Sequence, residues 1–493
     1  SIEMEVGGVV SFLEGKTVLV TGAAGFLAKI FLEKILRVQP KVKKIYLLLR
    51  ARDSESLALR LQNEITGKDL FRILKEQWGA EFSSFIGEKT SAVIGDQSVD
   101  DDLGIRDACI REEICSSVDF VVNLAAITTF DERYDVAFGT NTMGAINVLN
   151  FAKKCTNLQA LVHVSTAYVA GEMPGSIAET PHQMGVALNG CPGLDIDNEK
   201  KLIKETLESL QSCGATSDDI KSTMKDLGLE RARSYGWPNT YVFTKAMGEM
   251  LLENLRGNMS VAVVRPTMVT STYKEPFPGW VEGIRTIDIP TVGYGTGRIT
   301  CFLCNLDAVV DLIPADMVVN AMLVAMMSHA EHPHSEIYHV GSSASNTMKY
   351  SDLRRLMQIY YSESPLIGKD GKPVIVKDLK ILGSMASFYR YTAIRYQFPI
   401  QVLRVIKYMF GGSFKALYDK CNKEIRFMVK LVELLRPYAF FSGIFDDMNT
   451  KKLWSSANYE SEDDTIYFDP KCINWDDYFL NIHLPGLEKY AIA

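Results

Sequence analysis

The sequence predicts an α/β fold: a Rossmann-like, doubly wound parallel sheet with substrate-binding insertions, followed by a smaller and mostly helical C-terminal domain. First, short apolar runs alternate with helical stretches between Gly15 and Ser342, and the connections are long enough for right-handed crossovers. Second, the runs are rich in Val, Ile and Leu on both faces, as in a sheet that helices cover on each side. Third, a strand near the start leads into a glycine turn and a helix, the order of a dinucleotide-binding unit.

The strands of this sheet are predicted at the apolar runs themselves, because β-branched and aliphatic residues favour buried strands. These runs cover residues 17–20, 44–49, 91–94, 120–123, 161–165, 261–265 and 337–340. A helix is predicted from residue 28 to residue 38, directly after the glycine turn.

Two segments depart from the alternation. A polar insert lies between Val169 and Tyr241, with charged amphipathic stretches at 198–212 and 216–228, and a loop rich in turn residues and aromatics spans 271–297. Excursions beyond the carboxyl ends of the strands are expected to cover a cofactor crevice and to shape a substrate site. Packing decoration is the alternative interpretation.

These patterns divide the chain into an N-terminal extension (1–14), an α/β domain with insertions (15–345) and a C-terminal domain (346–493). Within the last, residues 376–445 have a helical pattern that is dense in aromatic, aliphatic and basic residues, as at 404–410. A buried helical bundle, a wall for a long apolar ligand and an amphipathic face on a membrane surface all fit this composition.

The bulk composition excludes several classes of protein. With 493 residues, 47% hydrophobic and 23% charged, the chain has the composition of a soluble globular protein of about two domains. Its net charge of -7 gives no support to nucleic-acid binding. The nine cysteines are odd in number and fit a reducing compartment. Cys301 and Cys304 form a CxxC without a second pair, so no metal site is predicted.

The first chemical motif is the strand, turn and helix at residues 18–27, VLVTGAAGFL. Gly22 follows the strand and Gly25 permits a close backbone approach, so the unpaired N–H groups and positive dipole end of the helix face a phosphate. Ala28 is small enough for close packing of helix on sheet. The motif predicts a dinucleotide site built from Thr21, Gly22, Ala24, Gly25, Phe26 and Leu27.

Further cofactor contacts are predicted where strands end. Arg50 ends the second strand, where an NAD-specific protein usually has an acidic residue, so it predicts the 2′-phosphate of NADP; a solvated arginine is the alternative. Asp96 follows the third strand and is expected to accept a hydrogen bond from the adenine amino group. Asn123 and Ala125 are predicted contacts at the end of the fourth strand. Asn141, on the next helix, and Pro266, at the end of the sixth strand, are the other two.

A tyrosine and a lysine form the second chemical motif. Tyr241 and Lys245 lie four apart on one face of a predicted helix. A general acid or base works best near the operating pH, so we expect Lys245 and an oxidised nicotinamide to lower the phenol pKa from about 10. Ser165 or Thr166, at the end of the fifth strand, is expected to hold a substrate oxygen beside Tyr241; Thr166 is preferred because it lies nearer the loop. The two motifs together predict a reductase that protonates an oxygen while a nicotinamide delivers hydride.

These motifs resemble those of the extended short-chain dehydrogenases/reductases and, more narrowly, the plant-type, alcohol-forming fatty acyl-CoA reductases. The resemblance rests on TGAAGFLA at 21–28, NLAA at 123–126, HVSTAY at 163–168 and YVFTK at 241–245. PFPGW at 276–280 and FDDMN at 445–449 extend it to nearly the whole chain. It implies that residues 15–345 bind NADPH, that 346–493 form the family's C-terminal domain, and that the catalytic residues are Thr166, Tyr241 and Lys245, with Lys245 also holding the cofactor.

The function that the resemblance implies is the reduction of long-chain or very-long-chain fatty acyl-CoA to primary alcohol by NADPH, for wax or surface lipids. A reductase that takes acyl carrier protein or stops at the aldehyde is one alternative. A sugar-nucleotide or sterol dehydrogenase or epimerase on this fold is another, and a lipid-binding protein with an NADP-sensing domain is a third. Arg231 and Arg233, between the insert and Tyr241, are candidates to contact the CoA phosphates.

The expected location is intracellular, with peripheral association at the endoplasmic reticulum membrane. No uninterrupted apolar run approaches the roughly 18 residues that a membrane span needs, and no signal peptide opens the chain. Because the chain begins at Ser1 rather than Met, a plastid location stays open as the alternative.

Overall fold

The computed structural model describes residues 8–331, 334–399, 413–456 and 465–492. The aromatic and basic stretch at 404–410, which the sequence predicts to be helical, lies outside the described residues. Within the described ranges, no helix is long and apolar enough to cross a membrane.

The strands of the described residues are numbered here in chain order. They are β1 Thr17–Thr21, β2 Lys44–Leu49, β3 Thr90–Ile94, β4 Phe120–Asn123, β5 Ala160–Val164, β6 Gly175–Ile177, β7 Val261–Pro266, β8 Met268–Thr270, β9 Cys301–Leu303, β10 Leu312–Pro314, β11 Ser335–Val340, β12 Lys380–Leu382 and β13 Gly443–Phe445.

Seven of these strands form one parallel sheet in the order β3-β2-β1-β4-β5-β7-β11. The chain winds outward in both directions from β1, so the strand order reverses between β1 and β4. In open α/β sheets, ligands bind in the crevice at such a reversal, beyond the carboxyl ends of the strands. The predicted fold class and the seven predicted strands are confirmed, with strand ends that differ by one or two residues.

Helices cover both faces of the sheet and bury separate apolar clusters against it. The α-helices of the described residues are Gly8–Phe12, Phe26–Val38, Ser54–Arg60, Arg72–Trp78, Phe82–Lys89, Ala108–Ser117, Tyr134–Ala137, Gly144–Lys154, Ile196–Ser212, Ser217–Ser234, Thr240–Leu255, Asp288–Gly295, Ala315–Glu331, Tyr350–Glu363, Met385–Thr392, Ser413–Ala439, Met448–Ser456, Trp475–Asp477 and Leu484–Leu487. Shorter π-helical and 3-10 segments connect several of them, among them Phe138–Met143, which joins the helix Gly144–Lys154.

The two amphipathic stretches of the insert form long helices, Ile196–Ser212 and Ser217–Ser234. Each begins at a capping residue that accepts backbone N–H groups, Asp195 for the first and Thr216 for the second. Such caps satisfy the unpaired N–H groups of a first helical turn.

The C-terminal region is largely helical, as predicted, but it also adds two strands that the sequence did not predict. β13 pairs with β6 of the insert, and β12 pairs with β9. Because β6 and β9 precede residue 346, the later part of the chain completes small sheets that the earlier part begins.

The tail, residues 465–492, docks on the body of the protein. The Tyr478 hydroxyl donates to the Ser271 carbonyl at 2.8 Å and lies 2.7 Å from the Thr270 hydroxyl. The His483 ring bridges Ser271 Oγ and Asp288 Oδ1, each at 3.0 Å. The tail therefore holds the loop 271–297 at its first residue and at Asp288.

Candidate active site

The glycine turn after β1 forms one wall of the crevice. Gly22 has φ +66°, and a Cβ added there would lie 2.5 Å from Ala125 Cα and 2.6 Å from Ala125 N. Gly25 donates its N–H to the Gly22 carbonyl at 2.8 Å and precedes the helix Phe26–Val38, which no side chain caps. The turn is therefore a cradle of backbone atoms whose open helix end suits a phosphate, the fit that a dinucleotide requires.

A cleft of about 200 Å³ extends from this turn along the ends of β2, β3 and β4. Six of the residues predicted to hold the cofactor line it: Gly22, Ala24, Gly25, Arg50, Asp96 and Ala125. The structure thus brings these six together at one edge of the sheet, although they come from four separate parts of the chain.

Two predicted cofactor residues lie under the cleft rather than in it. Thr21 Oγ1 donates to Asn123 Oδ1 at 2.8 Å, and Asn123 Nδ2 lies 3.1 Å from His163 Nδ1. Both side chains are almost completely buried. Because their polar atoms pair across β1, β4 and β5, they support the floor of the cleft and do not line it.

Asn141 has a similar supporting position. Its amide exchanges two hydrogen bonds of 2.9 Å with the backbone of Ile127, which lines the cleft, and also donates to Thr244 Oγ1 at 3.0 Å. Asn141 therefore ties the cleft to the helix Thr240–Leu255. Pro266, Phe26 and Leu27 do not line the cleft either: Pro266 is buried at the end of β7, and the Phe26 and Leu27 side chains pack on the core.

At the adenosine end of the cleft the structure adds an arginine that the sequence analysis missed. Arg60 lines the cleft beside Arg50 and donates to the Arg50 carbonyl at 2.5 Å. Its guanidinium also pairs with Glu64 at 2.6 Å. The Arg50 side chain is exposed and makes no hydrogen bond within the described part of the chain. Asp96, opposite, accepts from Ser98 through one carboxylate oxygen.

The helix Thr240–Leu255 carries Tyr241 and Lys245. It begins at Asn239, whose side chain accepts the Val242 N–H at 3.1 Å. Lys245 is 1% exposed, and its ammonium donates to the Val164 carbonyl, at the end of β5, at 2.8 Å. Burial lowers the pKa of Lys245 to about 8, against the opposing negative charge of Glu249.

The two hydroxyls that follow β5 point to different neighbours. The Thr166 hydroxyl faces Tyr241, whose phenol pKa it lowers by hydrogen bonding. Ser165 Oγ is buried on the side of Glu249 and makes no hydrogen bond of ordinary length within the described residues. Thr166 therefore lies beside the Tyr241 phenol, and Ser165 lies toward the buried Glu249.

The expectation that the phenol pKa of Tyr241 is lowered is wrong for the protein without its cofactor. Burial raises the phenol pKa well above its usual value of about 10, outweighing the Thr166 hydrogen bond and the positive charge of Arg285. Lys245 instead faces the Val164 carbonyl. A neutral phenol is the form that can donate a proton, so this environment suits reduction of a carbonyl.

A buried ion pair lies behind the site and was not anticipated from the sequence. Arg265, on β7, contacts Glu249 through two nitrogens, the shorter distance being 2.5 Å, and both side chains are almost fully buried. Burial alone would raise the pKa of Glu249, but its pairing with Arg265 outweighs this and lowers it to about 2. Glu249 is one helical turn beyond Lys245, so a negative charge is held near the buried ammonium.

The loop 271–297 contacts the helix that follows the glycine turn, and it contributes Arg285, a second residue without a signal in the sequence. The Arg285 guanidinium lies 4.9 Å from the centre of the Phe26 ring, and its charge acts on Tyr241. Glu282 of the same loop pairs with Lys29, on the helix that follows the turn, and with Lys68 at 3.7 Å. The contacts of Arg285 and Glu282 have no local sequence signal, since they join residues far apart in the chain.

Of the two arginines predicted to contact CoA, only Arg233 stays available. The Arg231 guanidinium contacts buried Glu199 at 2.5 Å and the Tyr235 hydroxyl at 2.9 Å, so it is already paired within the fold. Arg233 lines a groove of about 600 Å³ between the helices Ser217–Ser234 and Ser413–Ala439, together with Arg426, Lys430, Asp226 and Glu433.

The doubly wound sheet, the backbone cradle, and the Thr166, Tyr241 and Lys245 constellation define a nicotinamide-dependent reductase of the short-chain dehydrogenase/reductase type. Two family models described as "Male sterility protein" match residues 20–322, as an NAD-binding domain, and 395–493.

Curated relatives are similar over almost the full length. The chain is 52% identical over 491 residues to the alcohol-forming fatty acyl-CoA reductase of Simmondsia chinensis, covering 99% of each protein. It is 49% identical over 487 residues to fatty acyl-CoA reductase 1 of Arabidopsis thaliana, covering 98% of this chain and 99% of that protein. This chain belongs to the fatty acyl-CoA reductase family, as its motifs predict.

Among solved structures, the reductase domain of a nonribosomal peptide synthetase from Mycobacterium tuberculosis superposes with a TM-score of 0.58. The match covers 99% of this chain and 96% of that one at 17% identity. A terminal reductase domain from the myxalamid pathway gives a TM-score of 0.56 at 17% identity and covers 96% of this chain and 90% of that one. At this identity the likeness concerns the fold.

Replacing Gly22 with Ala tests the backbone cradle. We expect a loss of about 2–4 kcal/mol in the free energy of unfolding, because the new Cβ meets the Ala125 backbone in addition to the strain of a positive φ. Gly257→Ala is the matched control, since Gly257 has φ +64° and open space around its Cβ position, and we expect about 1–2 kcal/mol there. Equal losses in the two variants, measured by chemical denaturation, would contradict the close approach.

Proposed function

We propose that this protein reduces long-chain or very-long-chain fatty acyl-CoA to the primary alcohol, using NADPH in two hydride transfers through the aldehyde, in the formation of wax or related surface lipids. The observation that carries the proposal is the placement of Thr166, Tyr241 and Lys245 at the carboxyl edge of the sheet, next to a cleft that fits a dinucleotide. The family relationship supports the substrate class.

The reaction follows from the protonation states of these side chains. A bound nicotinamide cofactor supplies hydride to the thioester carbonyl. Tyr241 and Thr166 hold the oxygen on which negative charge develops. The partly buried Tyr241 phenol, neutral at pH 7, gives this oxygen a proton because an alkoxide is a stronger base than a phenolate. The hemithioacetal then collapses to aldehyde and free thiol.

The same side chains serve the second reduction. Once a second hydride has been delivered to the aldehyde carbon, there is no thiol to expel, so proton transfer from Tyr241 to the oxygen gives the alcohol. Lys245, fixed on the Val164 carbonyl, keeps a positive charge at the edge of the site where it can hold the cofactor. The tail residues Tyr478 and His483 hold the loop 271–297 over the site and so favour retention of the aldehyde between the two steps.

NADPH is favoured over NADH by the charges at the adenosine end of the cleft. Arg50 and Arg60 lie side by side there, and the exposed Arg50 guanidinium is free to pair with a 2′-phosphate. An arginine presents a planar fork of donors to a phosphate, and such charge-assisted bonds are stronger than neutral ones.

The CoA moiety is proposed to lie in the groove that Arg233 lines. Arg233 and Arg426 make no ion pair within the described residues, whereas Lys430 pairs with Asp131 at 2.6 Å and Glu433 accepts from Tyr389 at 2.6 Å. A groove of about 600 Å³ is within the size range of ligand pockets. Helix Ser413–Ala439, one side of the groove, ends with Tyr438 close to the ring of Phe130 and so leads toward the catalytic site.

We also propose peripheral association with the endoplasmic reticulum membrane, where an insoluble acyl chain would be taken up and released. Ile394 and Phe398 are each 69% exposed, and Phe427 is 67% exposed. Basic residues lie on the same helical segments, among them Arg395 and Lys423. Apolar side chains flanked by cations suit the interface of a lipid bilayer.

Replacing Tyr241 with Phe tests the proposed activity. The variant keeps the ring but removes the acid, so we expect reduction of palmitoyl-CoA and of added hexadecanal to slow by about 10²- to 10⁴-fold. NADPH oxidation is measured with palmitoyl-CoA, a sugar nucleotide and no substrate in parallel. Turnover of the sugar nucleotide alone, or full activity of the variant, would contradict the proposal.

Replacing Arg50 with Glu tests cofactor choice. One charge-assisted bond contributes roughly 1.5–3 kcal/mol, so NADPH affinity should fall by about 10- to 150-fold while NADH affinity hardly changes. Arg52→Glu makes the same charge change at an exposed position that does not line the cleft, and it should leave both affinities nearly unchanged. Binding is measured by cofactor fluorescence; equal weakening of both cofactors by Arg50→Glu would show a structural role instead.

Replacing Arg233 with Ala tests the CoA groove. We expect KM to rise about tenfold for palmitoyl-CoA and to stay unchanged for the same acyl group on a short uncharged thiol, because only CoA carries phosphates. Lys221→Ala removes an exposed charge from the same helix outside the groove and should change neither value. If Arg233→Ala affects both substrates alike, Arg233 does not contact the phosphates.

Membrane association is tested by flotation of the protein with phosphatidylcholine vesicles that contain phosphatidylserine. The wild type should float, and replacing Ile394, Phe398 and Phe427 together with Ser should leave the protein in the aqueous fraction without changing its circular dichroism. Colocalisation of a fluorescently tagged chain with an endoplasmic reticulum marker tests the organelle. Wild-type protein that stays unbound at low salt would contradict the proposed association.

A further inference from the structure

Tyr438, near the end of the helix Ser413–Ala439, reaches the catalytic helix from the C-terminal region. It is 5% exposed, and its own backbone is held in place because its carbonyl accepts the Tyr350 hydroxyl at 3.2 Å. None of the roles described above uses this side chain. Its neighbours connect it separately to Tyr241 and to Thr166.

The first connection passes through the cap of the catalytic helix. Asn239 Nδ2 donates to the Tyr438 hydroxyl at 2.9 Å, while Asn239 Oδ1 accepts the Val242 N–H at 3.1 Å. One amide therefore joins Tyr438 to the first turn of the helix that carries Tyr241. An N-cap fixes how a chain enters its helix. The orientation of this amide therefore influences the position of Tyr241 in the first helical turn.

The second connection is a stack of aromatic rings. Phe130 lies nearly parallel to Tyr438, with ring centres 5.0 Å apart, and to Tyr241, at 6.3 Å. The Phe130 carbonyl also accepts the Thr240 N–H at 3.1 Å. Offset parallel rings at these separations attract each other beyond the effect of buried area.

The third connection leads to the hydroxyl partner of Tyr241. The Tyr168 ring meets Tyr438 edge to face at 5.0 Å, and the Tyr168 N–H donates to Thr166 Oγ1 at 3.3 Å. Tyr438 thus contacts both the segment that holds Tyr241 and the segment that holds Thr166. The distance between the two hydroxyls depends on those segments.

We propose that Tyr438 is a positioning residue for the reaction: it sets the spacing of Tyr241 and Thr166 through Asn239, Phe130 and Tyr168. The C-terminal region then contributes to the chemical step, in addition to any part that it has in binding substrate. The inference rests on the proposed function, since it takes Tyr241 as the proton donor.

Tyr438→Phe tests the inference because it keeps the ring stack and removes the hydroxyl that Asn239 contacts. We expect kcat to fall about 3- to 10-fold with both palmitoyl-CoA and hexadecanal, the range of one hydrogen bond, while KM and the NADPH dissociation constant stay unchanged. Asn239→Ser retains a good cap but is too short to reach Tyr438, and it should give the same loss. The double variant should be no slower than either single variant, because both remove one interaction.

Tyr338→Phe is the matched control, since Tyr338 is a buried tyrosine whose hydroxyl lies 2.9 Å from His329 Nε2, on the far strand β11. It should lower thermal stability to a similar degree and leave kcat unchanged. An unchanged kcat in Tyr438→Phe, additive losses in the double variant, or an equal loss in Tyr338→Phe would overturn the inference. A wild-type protein that fails to reduce palmitoyl-CoA would instead count against the proposed function. This outcome is distinct because it concerns the wild type and not the variants.

Discussion

The hydrogen bond from the Lys245 ammonium to the Val164 carbonyl is the contact on which the site depends. It joins the catalytic helix to the end of β5, and the chain continues from Val164 directly to Ser165 and Thr166. A buried cation is unfavourable without a partner, so this carbonyl and the nearby Glu249 carboxylate determine where the helix can lie. Arg265 neutralises Glu249 in turn, and removing one member of such a buried pair typically costs about 3–5 kcal/mol.

This arrangement also explains why Tyr241 suits reduction. Burial keeps Tyr241 neutral in the protein alone, and the Lys245 ammonium donates to a backbone carbonyl. Thr166 supplies a second polar group on the substrate side. In the proposed reaction these side chains have two separate roles: Tyr241 and Thr166 hold the reacting oxygen, and Lys245 secures the helix and the cofactor side.

The later part of the chain is integral to the fold. β12 and β13 complete parallel pairs with β9 and β6, and the tail hydroxyl of Tyr478 is bonded to Ser271. These contacts join segments more than 70 residues apart in sequence, so they can form only when both parts of the chain are present.

The sheet could be predicted closely because a strand buried on both faces is a continuous apolar run. The role of Gly22 could be predicted because its turn lies between a strand and a helix. The pairing of polar side chains could not be predicted from local patterns. The side chains of Thr21 and Asn123 are hydrogen-bonded to each other across β1 and β4. The Arg231 guanidinium pairs with Glu199 on another helix. All three side chains therefore have partners within the fold. Arg60, Arg285 and Tyr438 were missed because their relevant neighbours are distant in sequence or belong to turns without a motif.

The central claim is that one site carries an acyl group through two successive reductions. The most direct test counts products in a single reaction: NADPH oxidised by absorbance, free thiol by a colorimetric reagent, and lipid products by mass spectrometry, with palmitoyl-CoA as the limiting substrate. We expect two NADPH to be oxidised for each thiol released, with hexadecanol as the product. One NADPH for each thiol, with hexadecanal accumulating in the medium, would contradict it.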